Sequence, residues 1–325
     1  MRAAVVEEYG GPEVIKVMEV PDPIPGPDEI RIAVDYSACN RADTLQRRGG
    51  YPDPIRREHE ILGLEYAGRV ESVGERVTRW SVGDRVMGIE AGACNASMVV
   101  THERMALPVP ATVSDEEMGA IPEVFITAWD ALCAQGGLTA GRWALVHAGG
   151  SGVGTAAIQI AKAIGANIAV TCSARKADAC RALGADLVLE RSPADWLGAL
   201  TEALPGGVDV VLDVIGGEEA DRNLRAVKPQ GTIMQVGFMG GVTTTITAGL
   251  ILAKRIHWIG TTLRNRPIEQ KIAAVQGFAT EMLPLFDSGV LRPVVDTTFA
   301  LDDIADAHRH MEADANIGKI LLRVE

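Results

Sequence analysis

The sequence predicts a two-domain α/β protein in which a doubly wound parallel sheet accompanies a mostly β domain resembling an irregular barrel. At 325 residues the chain is longer than most single domains. Residues 1–120 carry short β-rich runs separated by Pro and Gly, whereas from about Pro122 apolar strands alternate with helical segments. We therefore predict one domain over 123–264 and another built from 1–122 and 265–325.

The alternating region supplies the strands of the parallel sheet. Its candidate strands are residues 143–147, 167–172, 186–189, 208–214, 231–237 and 257–260. The chain then continues with an amphipathic segment Ile268–Ser288, a strand at 294–299, a helix at 302–313 and a last strand from Lys319. Because this tail does not repeat the strand–helix pattern, we expect it to return and complete the first domain.

The octapeptide His147-Ala-Gly-Gly-Ser-Gly-Val-Gly154 predicts a nucleotide site. It lies between an apolar strand and a helical segment, as the phosphate-binding turn of a dinucleotide fold does. Glycines tolerate positive φ and let backbone N–H groups approach a pyrophosphate at the positive end of the helix. The residues predicted to bind the cofactor here are Gly149, Gly150, Ser151, Gly152, Val153 and Gly154.

The second strand indicates which nucleotide is bound. It ends in Ser173-Ala-Arg-Lys176, and no carboxylate follows until Asp178. An NAD site usually places Asp or Glu about 20 residues beyond the glycines, on the ribose 2′-hydroxyl. A hydroxyl and two cations suit a 2′-phosphate instead, so we expect NADPH. The alternative is that Arg175 and Lys176 are the solvated start of a helix.

Composition and charge exclude several classes of partner. The net charge of −12 disfavours nucleic acid and anionic membranes, because both require a basic face. The five cysteines are scattered without CxxC spacing, as expected of thiols in a reducing compartment. The uncharged run Pro229–Ala253 contains five glycines, so it predicts strand, loop and helix rather than a membrane span. With no signal-peptide pattern, a cytoplasmic protein is expected.

Several motifs together resemble the medium-chain dehydrogenase/reductase superfamily. They are Gly63-Leu-Glu-Tyr-Ala-Gly68, Gly83-Asp-Arg-Val86, Ile121-Pro-Glu-Val-Phe-Ile-Thr-Ala-Trp129 and Asn316-Ile-Gly-Lys319. The combination is similar to the zinc-independent quinone oxidoreductases of the zeta-crystallin type, in particular the tumour-suppressor-inducible branch. The resemblance spans essentially the whole chain. It implies a GroES-like domain and a Rossmann domain that meet in a cleft, and a homodimer formed by edge-to-edge Rossmann sheets, with a tetramer as the alternative.

The sequence departs from the zinc-dependent alcohol dehydrogenases where those enzymes bind metal. Leu64 stands where they have a histidine ligand, and Asn40 where they have a cysteine ligand. Cys39 is one residue away and would point to the opposite face of a strand. A catalytic zinc needs three protein ligands, so no metal is expected. Without a Lewis acid, a substrate that is already electrophilic, such as a quinone or an enone, is favoured.

The remaining site residues are assigned partly from the resemblance. Those given a catalytic role are Asn40, Asp43, Tyr51 and Ser151, with Tyr51 the candidate to stack on a planar substrate and donate a proton. Those expected to bind the cofactor are Thr127, Ser173, Lys176, Arg191, Gly237, Phe238, Asn316 and Lys319. Structural alternatives stay open: a turn cap for Asn40 and Asp43, a helix-interior position for Thr127, loop packing for Tyr51, a surface charge for Arg191, and a tolerated small residue for Ser151.

These features predict an NADPH-dependent, zinc-free reductase of quinones. Two alternatives remain: reduction of the C=C bond of an enone or enoyl thioester on the same scaffold, and an NADPH-binding structural or regulatory protein without activity.

Overall fold

The computed structural model describes residues 1–191 and 195–324 and falls into two compact units. The first unit comprises Met1–Ile126 and Leu263–Glu325, and the second comprises Thr127–Thr262. The sequence predicted a domain boundary between residues 122 and 123, where the helix Pro122–Trp129 begins. In the structure the boundary between the two units lies inside this helix, after Ile126.

The strands are numbered in chain order. They are β1 (Arg2–Val6), β2 (Ile15–Glu19), β3 (Glu29–Cys39), β4 (Glu65–Val73), β5 (Arg85–Ile89), β6 (Met98–His102), β7 (Ala106–Pro108), β8 (Trp143–His147), β9 (Asn167–Cys172), β10 (Leu187–Glu190), β11 (Val208–Asp213), β12 (Val227–Gln235), β13 (His257–Gly260), β14 (Val295–Ala300) and β15 (Lys319–Arg323).

The α-helices are numbered in the same way. They are α1 (Arg41–Arg47), α2 (Asp115–Met118), α3 (Pro122–Trp129), α4 (Gly152–Ala163), α5 (Ala177–Ala182), α6 (Trp196–Ala203), α7 (Glu219–Ala226), α8 (Gly249–Lys254), α9 (Ile268–Asp287) and α10 (Ile304–Glu312). The predicted helix 302–313 begins as a 3₁₀ turn, Leu301–Asp303, before α10.

The first unit is built on a seven-stranded sheet. Its strand order is β14-β15-β3-β4-β5-β7, and β6 also pairs with β3; β1 and β2 form a separate pair. All neighbours are antiparallel except β14 and β15, which are parallel. Ile320 of β15 lies opposite Cys39, and Ser37 of β3 lies opposite Tyr66. The end of β3 therefore lies between the beginnings of β15 and β4, which brings three distant segments together.

The second unit is a six-stranded parallel sheet of order β10-β9-β8-β11-β12-β13. The direction of winding reverses between β8 and β11, and ligands of open α/β sheets bind at the carboxyl ends of the strands at such a point. The predicted fold class is confirmed. Several predicted strand ends differ from the structure by one residue, and the largest difference is in β12, which spans Val227–Gln235 instead of 231–237. Gly237 and Phe238 therefore lie beyond the strand and not at its last residues.

No helix among the described residues is long and apolar enough to cross a membrane.

Candidate functional site

The glycine turn follows β8 and is shaped by lack of space. A Cβ on Gly154 would lie 2.4 Å from the carbonyl oxygen of Ala148, and a Cβ on Gly149 would lie 2.6 Å from Cβ of Val170. The Gly149 N–H donates to the Thr171 carbonyl oxygen at 2.9 Å, which fixes the turn against β9. These glycines are required because side chains would collide with backbone and strand.

The left-handed residue of the turn is not one of these glycines. Ala148 has φ of 59°, whereas the prediction gave that role to the glycines. A left-handed conformation costs an L-residue roughly 1–2 kcal/mol, so the surrounding contacts must impose it on Ala148.

Ser151 is the N-cap of α4. Its Oγ accepts a hydrogen bond from the Gly154 N–H at 3.1 Å. Gly152 and Val153 occupy the next two positions, where helical N–H groups have no partner within the helix. The start of α4 thus offers backbone donors and the positive end of a helix dipole to an anion. The cap gives Ser151 a structural role, and its predicted catalytic role remains a prediction.

A buried polar network lies at the point where the strand order reverses. The ring of His147, at the end of β8, lies 2.8 Å from Thr171 Oγ1 through Nδ1 and 2.8 Å from Asn223 Oδ1 through Nε2. Asn223 in turn donates from Nδ2 to Asp213 Oδ2 at 3.0 Å. The other oxygen of Asp213 accepts the N–H groups of Ile215 and Gly216. The network therefore links the ends of β8, β9 and β11 by buried hydrogen bonds.

The residues predicted to hold a 2′-phosphate lie next to the turn. Ser173 Oγ is buried and has no hydrogen-bond partner among the described residues. Lys176 is 9% exposed, and its stem covers Gly150, where an added Cβ would lie 2.7 Å from the lysine Cδ. Arg191 is exposed, and its N–H donates to the Cys172 carbonyl oxygen at 2.8 Å. An orphaned hydroxyl beside a cation at the end of β9 fits the 2′-phosphate of NADPH.

Gly237 and Phe238 lie beside the same edge. Gln235 donates from Nε2 to the Gly237 carbonyl oxygen at 2.7 Å, and the Gly237 N–H lies 3.3 Å from the Asp213 carbonyl oxygen. Phe238 is 51% exposed. Thr127, the remaining cofactor prediction in this unit, lies in α3.

In the first unit, Lys319 is the centre of a buried cluster. Its Nζ donates to Asn40 Oδ1 at 2.6 Å and to the Cys39 carbonyl oxygen at 3.2 Å, and forms an ion pair with Glu65 Oε1 at 2.5 Å. Lys319 and Glu65 are 3% and 0% exposed. These three acceptors match the three N–H bonds of an ammonium group.

The amide of Asn40 and both carboxylate oxygens of Glu65 also have partners within the protein. Asn40 Nδ2 donates to Glu65 Oε1 at 2.9 Å, and the Glu123 N–H donates to Glu65 Oε2 at 2.9 Å. Asn40 also begins α1 with a capping box, in which its N–H donates to Asp43 Oδ2 at 2.7 Å. The amide of Asn40 is therefore bonded at both ends within the protein, which gives it the structural role that the sequence left open.

Asp43 is the buried acid of this cluster. It is 0% exposed, and its Oδ1 has no hydrogen-bond partner among the described residues. Burial raises the pKa of Asp43 to about 6, although the nearby cations Lys319 and Arg264 act to lower it. The neighbouring thiol of Cys39 is also buried, which raises its pKa strongly and keeps it protonated.

Tyr51 is held by Arg264. The guanidinium carbon of Arg264 lies 4.7 Å from the centre of the Tyr51 ring, and Nη1 donates to the Tyr51 carbonyl oxygen at 2.8 Å. Arg264 also donates to the Ala91 carbonyl oxygen at 2.5 Å and to Gln46 Oε1 at 2.9 Å. One buried cation thus fixes the loop that carries Tyr51. The sequence gave no indication of this contact.

Two family descriptions match the chain. "Alcohol dehydrogenase GroES-like domain" matches residues 26–135, and "Zinc-binding dehydrogenase" matches residues 152–279. The synaptic vesicle membrane protein VAT-1 homolog of Rattus norvegicus is 29% identical over 99% of this chain and 84% of its own length. The chain also matches parts of polyketide synthases, of whose length it spans only 5 to 15%.

Solved structures agree over the whole chain. The quinone oxidoreductase of Escherichia coli in complex with NADPH has a TM-score of 0.91 at 28% identity and covers 100% of both chains. The CurK enoyl reductase has a TM-score of 0.90 at 25% identity and covers 100% of this chain and 99% of its own.

The chain belongs to the zinc-independent quinone oxidoreductase family of the medium-chain dehydrogenase/reductase superfamily. It is accordingly an oxidoreductase with a GroES-like domain and a Rossmann-like parallel sheet.

One of the matching family descriptions names zinc, and a catalytic zinc requires three protein ligands. The described residues contain no group of three or more His, Cys, Asp or Glu side chains arranged to hold a metal ion. Leu64 is apolar, Asn40 is bonded at both ends, and the Lys319 ammonium already lies against Glu65. A second cation beside that ammonium would be repelled. The residues present do not fit a catalytic zinc.

Asn316 and Lys319 were expected to bind the cofactor of this oxidoreductase. Asn316 is 7% exposed and donates from Nδ2 to the Gly318 carbonyl oxygen at 2.8 Å, which closes a local turn. Lys319 has an acceptor for each of its N–H bonds. These contacts give both residues a structural role, and their predicted cofactor role remains a prediction.

Proposed function

We propose that this oxidoreductase is an NADPH-dependent, metal-free reductase of quinones. The observation that carries the proposal is the ion pair of Lys319 and Glu65, since a cationic side chain lies where a zinc ligand set would be required. Without a Lewis acid, the enzyme has no direct means of stabilising the alkoxide of a simple alcohol. A quinone accepts a hydride without that help.

The second unit would bind the cofactor. The amides at the start of α4 would bind the pyrophosphate, and Ser173 and Lys176 the 2′-phosphate. When bound, NADPH supplies a hydride to the substrate. The network of His147, Asn223 and Asp213 would keep the edge of the sheet in place during binding.

Reduction of a quinone to a hydroquinone by a hydride also requires one proton for each hydride. Asp43 is a candidate source, because an unpartnered carboxyl oxygen with a pKa of about 6 can release a proton near neutral pH. Tyr51, which Arg264 fixes, and solvent are the other candidate proton sources.

If Asp43 donates the proton, kcat/KM should fall as pH rises through about 6, because Asp43 then loses its proton. Asp43→Asn should abolish this decline at high pH. An unchanged decline in Asp43→Asn would assign the proton to Tyr51 or solvent.

The activity is tested by NADPH oxidation with 1,2-quinones, 1,4-quinones, enones and enoyl thioesters under the same conditions. We expect the quinones to give the highest kcat/KM. Preference for enoyl thioesters would support the alternative that the enoyl reductase and polyketide synthase matches favour. Background rates with every compound would support a non-catalytic NADPH-binding protein and overturn the proposal.

Cofactor choice is tested separately. The double variant Ser173→Ala/Lys176→Met should raise KM for NADPH by about 100-fold and change KM for NADH by less than about threefold, because only NADPH carries the 2′-phosphate. Arg181→Gln is the matched control, since Arg181 is exposed on the neighbouring helix and pairs with Asp178. Equal effects on both cofactors would refute the phosphate assignment.

We also propose a cytoplasmic homodimer, as the family resemblance implies. Light scattering of the purified protein tests the oligomeric state.

A further inference from the structure

Two buried polar atoms of α1 have no hydrogen-bond partner in the part of the chain that the structure describes. They are Oδ1 of Asp43 and Nε2 of Gln46, and both side chains are 0% exposed. A buried donor or acceptor without a partner costs roughly 1–3 kcal/mol, so native proteins keep few of them. The two residues are three positions apart on one helix, where side chains are neighbours. Together they indicate a site for a ligand atom.

Arg264 fixes the orientation of the Gln46 amide. The guanidinium donates from Nη2 to Gln46 Oε1 at 2.9 Å, so the amide oxygen is already used. Arg264 is held in turn by the carbonyl oxygens of Ala91 and Tyr51. The nitrogen is the other end of the same planar amide, and it has N–H bonds to donate. Gln46 therefore presents a donor in a position that the first unit holds in place.

The charges around these two atoms favour an oxygen that carries negative charge. Lys319 and Arg264 are cations that act to lower the pKa of Asp43, and the Glu65 carboxylate acts in the opposite direction. Burial nevertheless raises the pKa of Asp43 to about 6. When Asp43 holds its proton, two cations face one carboxylate, and the carboxyl O–H is itself a donor. The surroundings then carry a net positive charge.

Tyr51 is the half-buried side chain next to this pair. Its ring lies 4.7 Å from the guanidinium carbon of Arg264, and the same guanidinium contacts Gln46. A planar substrate stacked on the Tyr51 ring would lie beside Arg264. Only one oxygen atom of that substrate would then have to reach the buried end of Gln46.

We propose that Gln46 Nε2 and the carboxyl group of Asp43 hold one carbonyl oxygen of the quinone, and that the Gln46 hydrogen bond stabilises negative charge on it. A quinone that takes a hydride from NADPH, which becomes NADP⁺, is a hydroquinone monoanion until one proton reaches its oxygen. The Gln46 hydrogen bond strengthens as this charge develops, and the Asp43 proton completes the hydroquinone. This assignment rests on the proposed function, because it names residues that bind the substrate of that reaction.

Two variants separate the donor of Gln46 from its other properties. Gln46→Glu keeps an oxygen for Arg264, removes the N–H donor and adds negative charge. Gln46→Met removes both the donor and the oxygen and adds no charge. If the donor acts on the substrate, kcat for 1,4-naphthoquinone should fall about 100-fold in both variants, a change of about 2.7 kcal/mol. KM for NADPH should change less than about twofold, since the cofactor phosphates bind elsewhere.

Gln270→Glu is the matched control, because Gln270 is exposed in the same unit and undergoes the same chemical change. It should leave kcat unchanged, and circular dichroism checks that each variant is folded. A loss in Gln46→Glu alone would assign the effect to charge, and a loss in Gln46→Met alone would assign it to the contact with Arg264. Either result, or an unchanged kcat in Gln46→Glu, would overturn the role of the donor.

A binding measurement without NADPH separates this site from the activity. The probe is 4-nitrophenol, because its phenol and phenolate forms differ in absorption. At the pH where the free compound is half ionised, the bound molecules should be mostly phenolate, and the ratio of bound phenolate to phenol should fall about tenfold in both Gln46 variants. If this ratio depends on Gln46 but no quinone is reduced, the site stands and the proposed function fails. If quinones are reduced and the ratio is the same in all three proteins, or 4-nitrophenol does not bind, the function stands and the site fails.

Discussion

The glycine turn of the second unit and the lysine cluster of the first unit are built in opposite ways. The turn uses consecutive residues, and its constraint is space, since a Cβ on Gly154 would lie 2.4 Å from a backbone oxygen. The cluster joins Asn40 to Glu65, 25 residues away, and to Lys319, 279 residues away, and its constraint is charge. A site constrained by space can be recognised in a short stretch of sequence, whereas a site constrained by charge depends on the complete fold.

The largest loss of free energy is expected when the buried ion pair of Lys319 and Glu65 is broken. Lys319→Met leaves the Glu65 carboxylate buried without its cation, so the free energy of unfolding should fall by about 3–5 kcal/mol. Urea unfolding of the full chain measures this loss.

The double variant Lys319→Met/Glu65→Gln controls for lost packing, because it removes both charges and should recover part of the stability. Lys16→Met, which breaks an exposed pair, should leave the free energy of unfolding nearly unchanged. A loss for Lys319→Met no larger than that for Lys16→Met would show that charge does not hold this cluster together.

A smaller change in free energy, seen in NADPH binding, is expected when a side chain is added in the glycine turn. Gly154→Ala forces the turn away from its backbone neighbours, so the Kd for NADPH should rise about 100-fold, or about 2.7 kcal/mol. Fluorescence titration with NADPH measures it. Gly206→Ala is the control in the same unit, because an added Cβ there meets nothing within 4 Å. A change below about threefold in Gly154→Ala would mean that the turn tolerates a side chain.

The pH dependence of stability tests the buried carboxyl group of Asp43 in the lysine cluster. The pKa of Asp43 is raised to about 6, so the folded state holds this proton more tightly than the unfolded chain does. Its contribution to stability is therefore present in full below about pH 4 and is lost as pH rises through 6. Asp43→Asn should remove that decline between pH 4.5 and 7 in urea unfolding. Asp178→Asn, at a side chain 99% exposed, should keep it. A decline that survives in Asp43→Asn would exclude this carboxyl as its cause.

The smallest effect concerns backbone strain in the turn. Ala148→Gly relieves a left-handed alanine, so the protein should be more stable by up to about 1 kcal/mol. The same substitution inside α4, Ala156→Gly, should destabilise by at least about 1 kcal/mol. Thermal unfolding of the two variants should therefore shift in opposite directions. Shifts in the same direction would contradict strain at Ala148.

The sequence predicted those parts of the fold that depend on local patterns. Hydrophobic strands and the glycine turn placed β8, β9 and α4, because period and turn chemistry act over a few residues. The boundary of β12 was missed, since Gly237 continues an apolar run whose pairing ends earlier. Asp43 was found through the resemblance, but its raised pKa follows from burial that only tertiary structure supplies.

The same limit applies to the site. Nothing near Lys319 in the sequence reveals that Glu65 is its partner, and nothing near Arg264 reveals Tyr51. Both pairs form between segments that meet only through the order of the strands in the sheet. Motif resemblance assigned a cofactor role to Lys319 but gave no sign of its ion pair with Glu65, because a motif records which residues recur and not what they contact.

The position of β15 beside β3 also has a consequence for synthesis on the ribosome. The whole second unit, Thr127–Thr262, emerges before Lys319 does. The second unit can therefore fold while residues 1–126 still lack β14 and β15. Glu65 has no ion-pair partner until Lys319 is synthesised, almost 200 residues after Ile126. During that interval the edge of β3 that will pair with β15 is open, and an open strand edge is a site for wrong pairing.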